Sequence, residues 1–129
     1  YFTKRAVAYA NERVVFGRPV GQNQGIQFPI AEAHAELEAA DLMVRKATAL
    51  FDAGEDCGAE ANMARLLSAQ AAWNMAEACF STFGGFAFAR EYDIERKWRE
   101  ARLARTAPIS PNLILSYIAQ HVLGMPRSY

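Results

Sequence analysis

The feature that most restricts the fold of this chain is a long amphipathic run between Gln24 and Ala53. Its apolar side chains recur every three or four residues, which is the spacing of one face of an α-helix. The positions on this stripe are Ile26, Ile30, Ala33, Leu37, Ala40, Val44, Ala47 and Phe51. Pro29 is tolerated because a helix that begins near Gln27 or Phe28 places it in the first turn. Such a helix is roughly 40 Å long at 1.5 Å per residue, so we expect a helical bundle around it.

Glycine, proline and capping residues place helices on either side of this run. The segment from Tyr1 to Phe16 has helical spacing and stops at Gly17, and a loop from Arg18 to Asn23 follows. On the other side, Asp56 is the predicted N-cap of a third helix that continues to about Phe83.

Two shorter helices are predicted after the break at Gly84-Gly85. Asp93 is the predicted cap of a charged helix from Ile94 to about Arg102, whose interleaved charges predict a salt-bridged face. Ser110-Pro111 combines an N-cap with a proline at the first helical position and predicts the last helix, Asn112 to Leu123. That helix is apolar on almost every side, so it should be buried within the domain or at a subunit contact.

These segments predict an all-α fold, an up-and-down four-helix bundle that forms a single domain over residues 1–129. The chain is 52% apolar, and much of this is alanine, the best helix former. The 14 basic and 14 acidic side chains balance, which argues against nucleic acid or an anionic membrane as a partner. Cys57 and Cys79 are too few for a disulfide framework, which favours a cytoplasmic location.

Metal binding is the first chemistry to consider in a helical bundle. A di-iron bundle site needs Glu-x-x-His pairs, and neither His34 nor His121 completes one. We therefore expect no metal. The sequence also lacks a nucleophile elbow, a phosphate-binding loop and a dinucleotide fingerprint. Gly84-Gly85 alone indicates a turn, although two glycines allow a ligand to approach the backbone closely.

Three short segments, taken together, carry a resemblance. They are Asn11-Glu12-Arg13-Val14-Val15-Phe16-Gly17-Arg18-Pro19-Val20, Gly84-Gly85-Phe86-Ala87-Phe88 and Glu95-Arg96-Lys97-Trp98-Arg99-Glu100-Ala101-Arg102. In order and spacing they resemble signatures of the carboxy-terminal helical domain of the acyl-CoA dehydrogenase family. The resemblance implies an FAD-dependent oxidoreductase that acts on the CH–CH group of acyl-CoA thioesters. It also implies a homotetramer or homodimer and electron-transfer flavoprotein as electron acceptor.

The resemblance further implies that eight residues contact FAD. Arg13 matches an arginine that reaches the FAD pyrophosphate of a neighbouring subunit, and a guanidinium fork suits phosphate oxygens. The others are Phe16 near the same cofactor, Val20, Asn23 and Ile26 around the neighbour's adenine, Gly85 at its adenosine half, and Ser110 and Asn112 at the FAD of their own subunit. The residues alone favour a surface arginine at a helix end for Arg13, and they equally allow a core residue at Phe16 and a simple N-cap at Ser110.

The chain departs from the family pattern where many members carry a glutamate base, because that position falls on Pro108, which cannot accept a proton. A second group within the family places its base earlier, at a position that would precede Tyr1. We therefore expect a fragment without the N-terminal α and middle β domains, inactive alone and without a catalytic residue. Two alternatives stay open: a non-enzymatic helical oligomerisation module, and a family member that has lost or changed dehydrogenation.

Overall fold

The two longest helices form the centre of the computed structural model, which describes residues 1–128. The helices are α1 (Phe2–Glu12), α2 (Gln24–Asp52), α3 (Gly58–Phe83), α4 (Ile94–Ala104) and α5 (Pro111–Tyr117), with a π-helical extension of α5 over Ile118–Val122. The other elements are a hairpin of β1 (Val14–Val15) and β2 (Arg18–Pro19) and 3₁₀ turns at Val20–Gln22, Gly84–Phe88 and Arg90–Tyr92. The predicted all-α fold is confirmed. Tyr129, the end of the predicted domain, lies outside the described residues.

Helices α2 and α3 pack antiparallel. Lys46 Nζ of α2 lies 2.9 Å from Glu60 Oε1 at the start of α3. Further along, Asn74 Nδ2 of α3 donates to Glu36 Oε2 of α2 at 2.5 Å. The seam consists mainly of buried alanines, which are Ala33, Ala40 and Ala47 on α2 and Ala64, Ala71 and Ala78 on α3. The buried line is narrower than the predicted stripe, because Val44 and Phe51 are exposed.

The main apolar cluster lies where α1, the carboxyl end of α3 and the start of α4 meet. Its buried members are Ala6, Ile30, Ala78, Cys79, Phe83, Ala87 and Ile94. The rings of Tyr9 and Phe83 stack with centroids 4.0 Å apart. Burial raises the pKa of the Cys79 thiol to about 11, so this cysteine is protonated and unreactive at neutral pH. The cluster therefore fixes the end of α3 against α1.

Helix α1 ends earlier than predicted. It ends at Glu12, and the residues that follow form the β1–β2 hairpin. Phe16 and Gly17 make the two-residue turn, with φ of 51° and 77°. Positive φ at both turn positions is the geometry that matches the twist of a tight hairpin. The prediction of a helix through Phe16 is therefore wrong, since β-branched Val14-Val15 adopts an extended pair instead.

The predicted helix caps have mixed outcomes. Ser110 is the N-cap of α5 as predicted, because its Oγ accepts a backbone N–H of the first turn at 3.2 Å. Asp93 is not a side-chain cap: its backbone is left-handed, with φ of 60°, and its carboxylate binds Arg96. At α3 the cap position is Cys57, one residue after the predicted Asp56.

The charged face of α4 is salt-bridged, as predicted. Arg96 binds Asp93 at 2.6 Å and Glu100 at 2.5 Å, and Lys97 Nζ lies 2.9 Å from the other Glu100 oxygen. All of these side chains are substantially exposed, so the network is open to screening by salt.

The last helix is largely exposed. Of Pro111–Tyr117, only Ile114 is buried, whereas Leu113 is 59% and Leu115 is 52% exposed. The prediction that this helix is buried within the domain is therefore wrong, and a subunit contact stays a prediction. None of the helices in residues 1–128 combines the length and the apolar character needed to cross a lipid bilayer.

Candidate cofactor-binding site

A cleft of about 530 Å³ opens between the end of α1, the hairpin and the Gly84–Phe88 turn. Three of the eight predicted FAD contacts line it: Arg13, Val20 and Gly85. The other lining residues are Tyr9, Val15, Thr82, Phe83, Gly84 and Phe86. The fold thus brings the first and second signature segments to one place, although helices α2 and α3 separate them along the chain.

The diglycine wall of the cleft is open backbone. Gly84 ends α3 with φ of 57° and ψ of −134°, a conformation essentially restricted to glycine. A Cβ atom built on Gly84 or on Gly85 would have open space around it, with no neighbour within 4 Å. A ligand can therefore approach this backbone without meeting a side chain.

Arg13 provides the positive charge of the cleft. Its backbone is fixed, because its N–H donates to the Tyr9 carbonyl and its carbonyl accepts from Val20 N, both at 2.8 Å. Its guanidinium carbon lies 5.1 Å from the centroid of the Phe86 ring. Within residues 1–128 the guanidinium has neither a carboxylate partner nor a hydrogen-bond acceptor. Its N–H donors are therefore available to an anion.

Three other predicted contacts lie around the cleft rather than in it. Phe16 is 100% exposed at the tip of the hairpin, so its alternative role as a core residue is wrong. The Asn23 side chain accepts from Arg18 Nη2 at 2.9 Å and donates to a backbone carbonyl at 3.0 Å. Ile26 lines a separate pocket of about 280 Å³ between α1 and α2.

Ser110 and Asn112 lie near the other end of α3. Arg65, in the second turn of α3, donates to the backbone carbonyls of Ala104 and Ala107 and so holds the loop before Ser110. From Arg65 to the end of α3 the helix spans about 27 Å at 1.5 Å per residue. The eight predicted contacts therefore do not share one place: Ser110 and Asn112 lie near the start of α3, whereas the three contacts in the cleft lie at its end.

Six lining residues were not predicted as contacts, among them Tyr9 and Phe86. Tyr9 lies one helical turn before Arg13, and Phe86 follows the diglycine directly. For Phe86 the available signal was its position inside the second signature segment, whereas Tyr9 precedes the first segment and had only its helical spacing from Arg13. As for metals, no three His, Cys, Asp or Glu side chains come together as possible ligands in the described part of the chain.

Comparison with known proteins gives the class of domain to which this bundle belongs. The chain is a member of the acyl-CoA dehydrogenase C-terminal domain family, which it matches over residues 2–123. Among the curated relatives, it is 42% identical over 127 residues to acyl-CoA dehydrogenase FadE12 of Mycobacterium tuberculosis. That match covers 97% of this chain and 33% of the relative, so the chain spans about a third of the relative's length.

Solved structures show the same fold. One is the glutaryl-coenzyme A dehydrogenase glutaryl-CoA complex, at a TM-score of 0.90 and 30% identity over 98% of this chain and 32% of that chain. Another is the FAD complex of PigA, at a TM-score of 0.91 and 27% identity. That match covers 96% of this chain and 32% of that chain. The predicted family is therefore confirmed.

Proposed function

We propose that the chain is the FAD-binding and oligomerisation domain of a longer acyl-CoA dehydrogenase that oxidises the CH–CH group of acyl-CoA thioesters. The observation that carries this proposal is the convergence of Arg13 and Gly85 on one open cleft. It is supported by similarity to the FAD complex of PigA and to the glutaryl-CoA complex of glutaryl-coenzyme A dehydrogenase. When bound, FAD supplies the two-electron acceptor for such an oxidation.

The cleft residues have distinct roles in this proposal. The Arg13 guanidinium donates to the pyrophosphate oxygens of FAD, an interaction to which its planar fork is suited. Gly85 allows the adenosine half of FAD to approach the backbone, and Val20 provides an apolar wall near the adenine. Ser110 and Asn112 hold a second FAD, that of their own subunit. The length of α3 between the two places supports their assignment to different cofactor molecules.

Oligomerisation is assigned to the exposed apolar surface at the end of the chain. Leu113, Leu115 and Leu123 are all more than half exposed, and exposed apolar patches commonly mark protein interfaces. We propose a homotetramer or homodimer. We also propose that the full-length protein acts on an acyl-CoA substrate and passes its electrons to electron-transfer flavoprotein. We further propose a cytoplasmic location, which cell fractionation can test.

Pro108 favours a second candidate. It lies exposed in the loop before Ser110 and offers no group that accepts a proton. Either the base comes from a part of the longer protein before Tyr1, or the protein has lost or changed dehydrogenation. Assays for enoyl-CoA with an artificial acceptor and for peroxide with oxygen distinguish these. Product formation through electron-transfer flavoprotein alone would eliminate the second candidate.

The principal experiment uses the purified full-length protein. We expect a flavin absorbance spectrum that bleaches anaerobically when a suitable acyl-CoA is added. Arg13→Gln should weaken FAD binding about tenfold to a hundredfold, since a charge-assisted hydrogen bond to phosphate is lost. The matched control is Arg102→Gln, whose guanidinium also lies over an aromatic ring, that of Trp73 at 5.4 Å, but outside the cleft. A colourless protein that cannot be reconstituted with FAD would contradict the proposal.

A further inference from the structure

Phe86 is the aromatic residue within the Gly84–Phe88 turn, and its ring lines the cleft next to Gly85. Its neighbour Ala87 is fully buried and anchors the turn, whereas Phe86 is 44% exposed. The Arg13 guanidinium lies 5.1 Å from the centroid of this ring. At that distance the negative face of an aromatic ring attracts a cation.

Tyr92 contacts this ring and connects it to the aromatic side chains of α1 and α3. The centroids of Phe86 and Tyr92 are 5.6 Å apart. Tyr92 meets the edge of Phe83 at 5.5 Å, and Phe83 stacks on Tyr9. The backbone at Tyr92 is also tied to α1, because Arg5 Nη2 donates to its carbonyl at 2.9 Å. These contacts therefore restrict the position of the Phe86 ring at the edge of the cleft.

Arg13 is held differently from the arginines that form ion pairs on the surface of α2 and α4. Arg45 and Arg96 each bind a carboxylate, Asp41 and Asp93 respectively, at 2.6 Å. A carboxylate occupies N–H donors and neutralises the charge. An aromatic face attracts the guanidinium without accepting a conventional hydrogen bond, so the donors of Arg13 keep their capacity for an anion.

We propose that Phe86 is the positioning residue for Arg13, holding its guanidinium over the cleft with the N–H donors free for the FAD pyrophosphate. This inference rests on the proposed function and adds a residue to which the resemblance assigns no role. A long side chain loses rotamer freedom when it binds a ligand. A ring that holds the guanidinium beforehand removes part of that cost and strengthens binding.

The test is a double-mutant cycle in the full-length protein, with FAD affinity of the apoprotein as the readout. Phe86→Leu should weaken FAD binding roughly three- to tenfold. The combined Arg13→Gln, Phe86→Leu protein should bind no more weakly than Arg13→Gln alone, because the ring then has no guanidinium to hold. Phe86→Trp should match or exceed the unmodified protein, since the indole face attracts cations best. Phe88→Leu, an exposed aromatic in the same turn, is the matched control and should leave FAD affinity unchanged.

Additive losses in the double mutant, or a loss of affinity in Phe86→Trp, would overturn the inference, because Phe86 would then act through packing alone. An unchanged affinity in Phe86→Leu alongside a clear loss in Arg13→Gln would overturn it while leaving the proposed function intact. If Arg13→Gln itself has no effect, the proposed site is wrong and the inference fails with it. Thermal unfolding of each apoprotein accompanies these measurements. Should Phe86→Leu unfold, the Phe86→Trp result decides.

Discussion

At the scale of single residues, close backbone approach determines much of the structure around the hairpin. Gly21 lies against the last turn of α1, and a Cβ atom there would be 2.9 Å from the Ala10 carbonyl oxygen. Gly84 instead has open space but a backbone conformation that other residues avoid. The sequence predicted the break at Gly84, because diglycine is a local signal. It could not predict the role of Gly21, which depends on contact with another helix.

Gly21→Ala should therefore destabilise the fold. The new methyl group would meet backbone atoms that cannot move aside, at an expected cost of about 1–3 kcal/mol in the free energy of unfolding. Urea unfolding measures this directly. Gly25→Ala is the matched control: it lies in the first turn of α2 with open space around it, and alanine there should be neutral or stabilising. Equal stability of the two variants would show that Gly21 is not tightly packed.

At the scale of elements, local periodicity predicted the helices but not the hairpin. The end of α3 at Phe83 agrees with the prediction, because it follows from the diglycine next to it in sequence, whereas α2 begins at Gln24, before the predicted start near Gln27 or Phe28. The hairpin is defined by pairing across its turn and by a hydrogen bond from Val20 N to the Arg13 carbonyl. A two-residue strand has no periodicity of its own, so the helical pattern before it was extended too far.

The loop between α4 and α5 depends on one side chain of α3. Arg65→Met removes the donor to the Ala104 and Ala107 carbonyls, so we expect a loss of about 1–2 kcal/mol of stability. Hydrogen exchange should show faster exchange of the loop amides before Ser110. Arg99→Met, which removes an exposed pair with Glu95, is the control and should leave the loop amides unchanged. Unchanged protection in Arg65→Met would contradict this role.

The carboxylates of α4 give its stability a pH dependence. The hydrogen bond from Arg96 holds the pKa of Asp93 below its ordinary 3.8, and that from Lys97 holds the pKa of Glu100 below 4.5. The stability that these two carboxylates contribute is therefore complete above their ordinary pKa values. It is lost as the pH falls through the lower pKa values of the folded state. Circular dichroism should show a loss of helix content below pH 4 as α4 weakens. We expect this loss to be less steep in the Asp93→Asn and Glu100→Gln variants, and less steep at high salt. Identical acid profiles would contradict this assignment.

At the scale of the whole molecule, the site combines segments that no local pattern relates. Arg13 and Gly85 were assigned through the family resemblance, and only the folded chain shows that they share a cleft. For a related reason the sequence left two environments open for the last helix, the domain interior or a subunit contact, and the structure contradicts only the first. Its apolar character indicates that something covers it, but a sequence does not say whether the cover is the same chain or another.

Leu113→Glu should test whether a second copy provides this cover. A charge on the exposed face of α5 should shift the full-length protein toward smaller species in sedimentation velocity while its helix content persists. The control is Thr48→Glu, which places the same charge on the exposed surface of α2. An unchanged sedimentation coefficient in Leu113→Glu would exclude this face from the assembly.

The length of α3 has a consequence for how such a protein would lose its flavin. Helix α3 keeps the two groups of proposed contacts apart. In the proposed assembly, one FAD molecule would therefore receive its full set of contacts only from two chains. Occupancy and association would then be linked by mass action, each favouring the other. Dilution alone, without any change in sequence or pH, would release the flavin.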